Sequence, residues 1–282
     1  QFQDFYDRIN EWEMVDSAGY AIPYNGETIQ LVSSSRSETQ IQYDLLNAFL
    51  QDTWEINRPA ADFFITTGVR GSLWNFNRTF MVSPRFTFSY QPGWDRDMMF
   101  QLSGGYYFQP PFYKEMRLPN DQINHDIKPQ RSIHLLAGGD YIFQAWNRPF
   151  KLTGEVYYKW LNDLIPYKIE NVRIRYAGEN IAKGYATGVD LKINGEFVPG
   201  AQSWLTASIL QTREDIAGDS IPIIVEGEKV YQDAGYYSRP TEQLFTVGLF
   251  FQDYLPSNPD YKVHLSAFYG TGLPLSHPDE NQ

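Results

Sequence analysis

The 282 residues carry 23 Lys and Arg against 34 Asp and Glu, a formal net charge of -11, with 16% aromatic residues and no cysteine. Scattered basic residues in an acidic chain exclude a nucleic-acid backbone as partner, which demands clustered Lys and Arg, and the absence of cysteine removes disulfide frameworks and thiolate metal sites. The longest apolar run, Leu244–Phe251, holds eight residues, far short of the roughly 20 that a spanning helix needs.

What the chain has instead is a period of two. Eleven strands are predicted, at about 2–15, 41–56, 62–73, 79–90, 98–110, 130–144, 150–164, 184–197, 204–214, 241–254 and 261–272. Each is long enough to cross a bilayer at a tilt, which takes about 9–11 residues, whereas soluble strands are typically nearer five or six. The clearest runs from Phe80 to Tyr90: Phe80, Val82, Pro84, Phe86, Phe88 and Tyr90 share one face, and Met81, Ser83, Arg85, Thr87 and Ser89 the other. Successive side chains of a strand point to opposite sides, so this alternation gives one face to lipid and one to water. The same apolar stripe recurs in Phe63, Ile65, Val69 and Leu73, in Met98, Phe100, Leu102 and Tyr106, in Ile133, Leu135 and Tyr141, and in Val189, Leu191 and Ile193. The first two strands alternate less cleanly, because Asp7, Glu11 and Glu13 fall on one face with Ile9 and Val15. A barrel shows lipid only at every second residue, so a mean hydropathy of -0.45 is compatible with membrane residence.

Connections sort by parity. Short segments rich in Pro, Gly, Asn and Asp sit at 57–61, 91–97, 145–149, 198–202 and 255–260. The alternate ones are long, at 17–40, 111–129, 165–183 and 215–240, with only 74–78 short among them. Outer-membrane barrels pair tight periplasmic turns with long extracellular loops in this way. The fold class is therefore all-β, a transmembrane antiparallel β-barrel. Single-chain bacterial barrels have even strand numbers, so an odd count marks residues 1–282 as one partial barrel domain. The first residues, Gln1-Phe2-Gln3-Asp4, have neither the basic nor the apolar segment of a secretory signal.

Four stretches, Phe49-Leu50-Gln51-Asp52-Thr53-Trp54, Val82-Ser83-Pro84-Arg85-Phe86, Tyr107-Phe108-Gln109-Pro110-Pro111-Phe112-Tyr113 and Lys183 to Leu191, resemble the barrel half of TonB-dependent outer-membrane receptors from about residue 41 onward. The resemblance implies a bacterial outer-membrane barrel of about 22 strands around a plug. It further implies import of a scarce solute, such as a metal chelate (siderophore), corrinoid, glycan or peptide, with energy delivered through the TonB complex. The chain departs from the pattern in lacking a recognisable plug, TonB box and closing aromatic terminus. Outer-membrane lipid, the imported solute, the TonB complex acting through the plug region, and a surface lipoprotein are the partners this reading implies. A passive channel or scaffold barrel, and a soluble aromatic carbohydrate-binding β-domain, are the alternatives.

No enzyme is read here, since no G-x-S-x-G elbow, P-loop or dinucleotide fingerprint occurs. No catalytic residue, cofactor or metal site is assigned: His125, His134, His264 and His277 lack ligand spacing, and 120–126 lacks the central Gly and final Glu of a calcium loop. The ligand-facing candidates are aromatic and basic side chains at the long loops. Tyr107, Phe112 and Tyr113 flank Pro110-Pro111, which stiffens the chain as it leaves the sheet. Arg173, Arg175 and Tyr176 lie in the next long loop, where Arg would grip carboxylate or phosphate. Lys151, Glu155, Lys159 and Asp163 face Asp190, Lys192 and Glu196 as a lumenal charge ladder, read as ordinary cross-strand pairs or as a plug contact.

Overall fold

A computed structural model describes residues 2–15, 30–170, 173–225, 228–255 and 257–274, and no helix occurs among them. The strands are β1 (Phe2–Val15), β2 (Gln30–Arg58), β3 (Ala61–Trp74), β4 (Thr79–Pro92), β5 (Asp97–Gln109), β6 (Gln130–Ala145), β7 (Arg148–Leu164), β8 (Tyr167–Glu170), β9 (Arg173–Tyr176), β10 (Ala182–Val198), β11 (Ala201–Ile216), β12 (Ser220–Val225), β13 (Glu228–Asp233), β14 (Tyr237–Ser238), β15 (Phe245–Leu255) and β16 (Asn258–Gly270). Eleven run antiparallel in one sheet in the order β1-β2-β3-β4-β5-β6-β7-β10-β11-β15-β16, with β14 added beside β11. The long connections hold the separate hairpins β8–β9 and β12–β13.

Turn chemistry explains the tight side. Ala145 pairs with Arg148 around Trp146 and Asn147, both at positive φ, a two-residue turn whose twist matches its strands. Val198 pairs with Ala201 around Pro199-Gly200, where Pro presets the first position and Gly200, at φ 75°, supplies the second. Register keeps the apolar face continuous across the sheet: Phe88 lies opposite Leu102, Leu102 opposite Ala137, Ala137 opposite Val156, Val156 opposite Val189 and Val189 opposite Ile209. Rings crowd this face towards the turns, with Trp94 edge-on to Phe100 at 6.2 Å and Trp146 edge-on to Phe150 at 5.6 Å. Such a girdle belongs at a membrane–water interface. Phe63, Phe88, Tyr90, Phe100 and Leu102 line a shallow apolar groove in it.

The first strand departs from expectation. β1 pairs with β2 from Phe2 opposite Asp44 to Val15 opposite Gln30, whereas β3 pairs with β2 from Leu45 to Arg58. β1 therefore lies wholly beyond the loop-side end of β3 and does not cross the bilayer beside it. Its outer face is polar accordingly: Gln40 and Gln42 both donate to Asp4, at 3.1 and 3.0 Å, and the Tyr6 hydroxyl donates to Glu38 at 2.6 Å. The segment expected as a loop at 17–40 is strand from Gln30 onward, and 16–29 lies outside the described residues. At 241–244 the expected strand is a turn, because the Glu242 carboxylate accepts from the Thr212 amide at 2.9 Å and holds the backbone off the ladder. Among the described residues the sheet is open, since β2 below Asp44 pairs only with β3 and β16 pairs only with β15.

The buried core lies on the inner face at the loop side. Ile41, Tyr43, Trp74 and Met81 point in from β2, β3 and β4, and Met116, Ile127 and Ile165 come down onto them from the loops. Tyr43 and Phe76 meet Trp74 at 5.8 and 5.1 Å. The loops thus fold over the lumenal wall.

Candidate functional site

The loop from Pro110 to Pro129 is a strap fixed at three points. Arg117, 11% exposed, donates to Asp7 on β1 and to Ser37 on β2, both at 2.8 Å, and lies 3.7 Å from Asp121. Asn124 donates to the Gly178 carbonyl at 2.8 Å, while Asn180 accepts from the Lys128 amide at 2.7 Å and donates to its carbonyl at 2.9 Å. Asn77 donates to the Ile127 carbonyl at 2.6 Å. Gly178 sits at φ 73° with Arg117 backbone against its α-carbon, so a side chain there meets both strain and a clash. Arg117→Ala is expected to leave Asp7 without its cation and to weaken the strap by about 2 kcal/mol. Faster proteolysis within 112–128, with the sheet intact, is the readout; unchanged cleavage would refute the latch.

Below the strap, the lumenal wall carries a row set by register: Gly68 opposes Arg85, Arg85 opposes Gly105, Gly105 opposes His134, His134 opposes Lys159 and Lys159 opposes Ala186. The Arg85 guanidinium lies 4.6 Å over the Tyr107 ring, Tyr107 stacks on His134 at 4.2 Å, and His134 Nε2 meets the Ser132 hydroxyl at 2.8 Å. Lys159 Nζ lies 4.9 Å over Tyr157. A Cβ on Gly105 would fall 3.2 Å from Arg85 Cγ and 3.3 Å from the Tyr107 ring, so glycine makes room for the stack.

The sequence-predicted candidates separate. Tyr107 joins this wall. Phe112 is 45% exposed and meets Tyr113 edge-on at 4.5 Å, while Tyr113 stacks on Phe5 of β1 at 4.9 Å. Tyr176 packs against the buried cluster, 5.7 Å from Tyr167. Burial, then Glu115 and Tyr167, pushes its phenol up. Arg175 is exposed on the β8–β9 hairpin opposite Lys168, and Arg173 stands opposite Glu170, its side chain outside the described residues. The charge ladder takes other partners: Lys151 pairs with Asp140 at 3.0 Å and Asp163 with Arg131 at 2.9 Å, while Asp190 and Glu155, of like charge, stand opposite each other.

Sequence reading missed a loop-side acidic centre. Glu214, 1% exposed, accepts from Arg239 at 3.1 Å, and Asp215, Asp219 and Asp233 bring one oxygen each within 4.8 Å of one another. Lys183 pairs with Asp215 at 3.1 Å. Tyr237 is pushed up to about 12 by burial, then by Glu214, Asp219 and Asp215. Asp219 is raised by burial, then by Asp233 and Asp215. A carboxyl raised on folding stabilises below its unfolded value and loses that contribution as pH rises through the folded one. Protection factors in 217–225 and 228–236, taken after correction for the intrinsic pH dependence of amide exchange, are therefore expected to rise on acidification below neutrality, and Asp219→Asn to flatten the response. An unchanged slope in that variant would show that Asp219 is not the group responsible. Asp219 and Asp233 are brought together by the β12–β13 hairpin, Lys183 and Asp215 by the pairing of β10 with β11, and Glu214 and Arg239 by the pairing of β11 with β14.

The sequence matches the family described as TonB dependent receptor-like, beta-barrel over residues 2–274. The chain belongs to this family. No curated protein matches it in sequence. In fold it is similar to the outer membrane transporter YddB from Escherichia coli, with a TM-score of 0.51 and 12% identity, covering 95% of this chain and 42% of that one. The chain thus spans less than half of that transporter's length. For a TonB-dependent receptor-like barrel, the apolar face of the sheet is the lipid face and its location the outer membrane. The strap and the wall beneath it lie at the long-loop end of the inner face.

Proposed function

We propose that this chain is part of the barrel wall of an outer-membrane receptor that imports a scarce solute, with the energy delivered through TonB to a plug in the lumen. The observation that carries this reading is the folding of the long loops over the lumenal face, pinned by Arg117 and by the Trp74 cluster. A passive pore gains nothing from a capped mouth, whereas a capture receptor needs a rigid surface there to hold solute before passage. The two open edges of the sheet support a longer barrel, because hydrocarbon does not tolerate unpaired backbone groups. Covalent chemistry has no part in the proposal. A surface lipoprotein would meet the β12–β13 hairpin, whose Ile224 and Tyr231 are 78% and 67% exposed.

The test is uptake by cells expressing the receptor chain that carries this sequence, with and without an intact TonB complex. Outer-membrane fractionation, heat-modifiable migration and loss of solute accumulation without TonB are the expected results. Accumulation that persists without TonB would make the protein a passive channel, and a product folded in plain buffer would return the soluble binding domain.

A further inference from the structure

Resting on the receptor reading, we infer that the lumenal row of Arg85, His134 and Lys159 is a subsite for a solute bearing more than one anionic group, carboxylate or phosphate. Three features point there. First, the cations are uncommitted: among the described residues Arg85 and Lys159 pair with no carboxylate, while Arg117, Arg131, Lys151, Lys183 and Arg239 all do. Second, they are placed by packing. Arg85 lies on Tyr107 and Lys159 on Tyr157, contacts that hold each head group against a ring on the inner face of the sheet. Third, the wall has been cleared for them. Gly68, Gly105 and Ala186 stand beside the cations in register, and Gly105 has no side chain to lift Arg85 off its ring.

Spacing defines the ligand class. Arg85 and Lys159 sit on β4 and β7, three strand intervals apart, which is about 14 Å between backbones. Both side chains are long enough to reach inward from those ends, and His134 with the Ser132 hydroxyl lies between them. A single small anion meets one cation only. A solute with separated anionic groups meets both, and its apolar parts find the faces of Tyr107 and Tyr157. Arg70, held by Asn47 at 2.8 Å just above Gly68, extends the same positive wall towards the loops.

Titration of the detergent-solubilised receptor chain with citrate, inorganic tripolyphosphate and neutral maltose tests the inference, using calorimetry at low and high salt. Wild type is expected to bind at least one of the two anions in a salt-sensitive way and to ignore maltose. The arm that binds more tightly identifies carboxylate or phosphate as the recognised group. Arg85→Gln with Lys159→Gln should weaken binding about tenfold or more, whereas Arg96→Gln, a cation on a tight turn, should leave it unchanged. Gly105→Val is a second route to the same loss with both charges kept. Equal affinity in wild type and the double variant, or no binding of either anion by wild type, overturns the inference. Heat-modifiable migration is scored on the same samples and TonB-dependent uptake on the cells that produce them, so a protein that keeps both and binds no anion refutes the subsite and leaves the receptor reading standing.

Discussion

Trp74→Ala is expected to cost about 3–5 kcal/mol, the range for removing a large buried aromatic side chain, and to loosen the loops while leaving the membrane sheet assembled. Trp74 is fully buried at the loop-side end of β3, edge-on to Tyr43 and stacked on Phe76, which itself stacks on His125 of the strap at 5.3 Å. Met116 and Ile127 of the strap belong to the same cluster. Removing the indole takes away the floor on which the strap rests. The ladder from Leu45 to Arg58 against β3 does not depend on it. Limited proteolysis should therefore cut between 112 and 128 in the variant, with heat-modifiable migration preserved. Trp74→Phe should lose much less, because the indole Nε1 is buried without a hydrogen-bond partner and its removal relieves an unsatisfied donor. Equal protease resistance in Trp74→Ala and wild type would mean that the strap is held by its polar latches alone.

Strand identity was legible because period two survives any tertiary arrangement. The eleven predicted strands are the eleven of the main sheet, and loop length by parity placed the hairpins except at 17–40, which is strand from Gln30 onward. Register was not legible. Nothing in Phe2–Val15 reveals that its partner is the far half of a 29-residue strand, although its polar outer residues Asp4 and Tyr6 were a sign that it leaves the lipid. The same gap hid the lumenal row. Arg85, His134 and Lys159 fall some 25–50 positions apart in sequence, and only the stagger of β4 to β7 sets them level. Among the loop candidates, Tyr113 and Tyr176 carry the aromatic chemistry expected of ligand contacts, yet their rings serve packing. An aromatic side chain beside a proline does not disclose which of the two it does. Arg117 escaped notice because its partner, Asp7, is 110 residues away.

Leu102→Arg is the second large effect expected, a loss of about 2–4 kcal/mol for a cation on the lipid face near mid-membrane. Leu102 is centred in β5, opposite Phe88 and Ala137 on the apolar side, and 44% exposed where lipid would cover it. Its neighbour Gln101 points the other way, with its amide 3.0 Å from the Ser103 hydroxyl. Gln101→Arg adds the same charge one residue along, into water, and should be tolerated. The pair isolates parity from composition and from position along the chain. Assembly in detergent or in the outer membrane, read by heat-modifiable migration, should fall for Leu102→Arg alone. If both variants assembled equally, the apolar face would not be the lipid face, and the lumenal placement of Arg85, His134 and Lys159 would lose its basis. If Gln101→Arg alone failed, the two faces would be exchanged, and the strap would lie on the outside of the barrel.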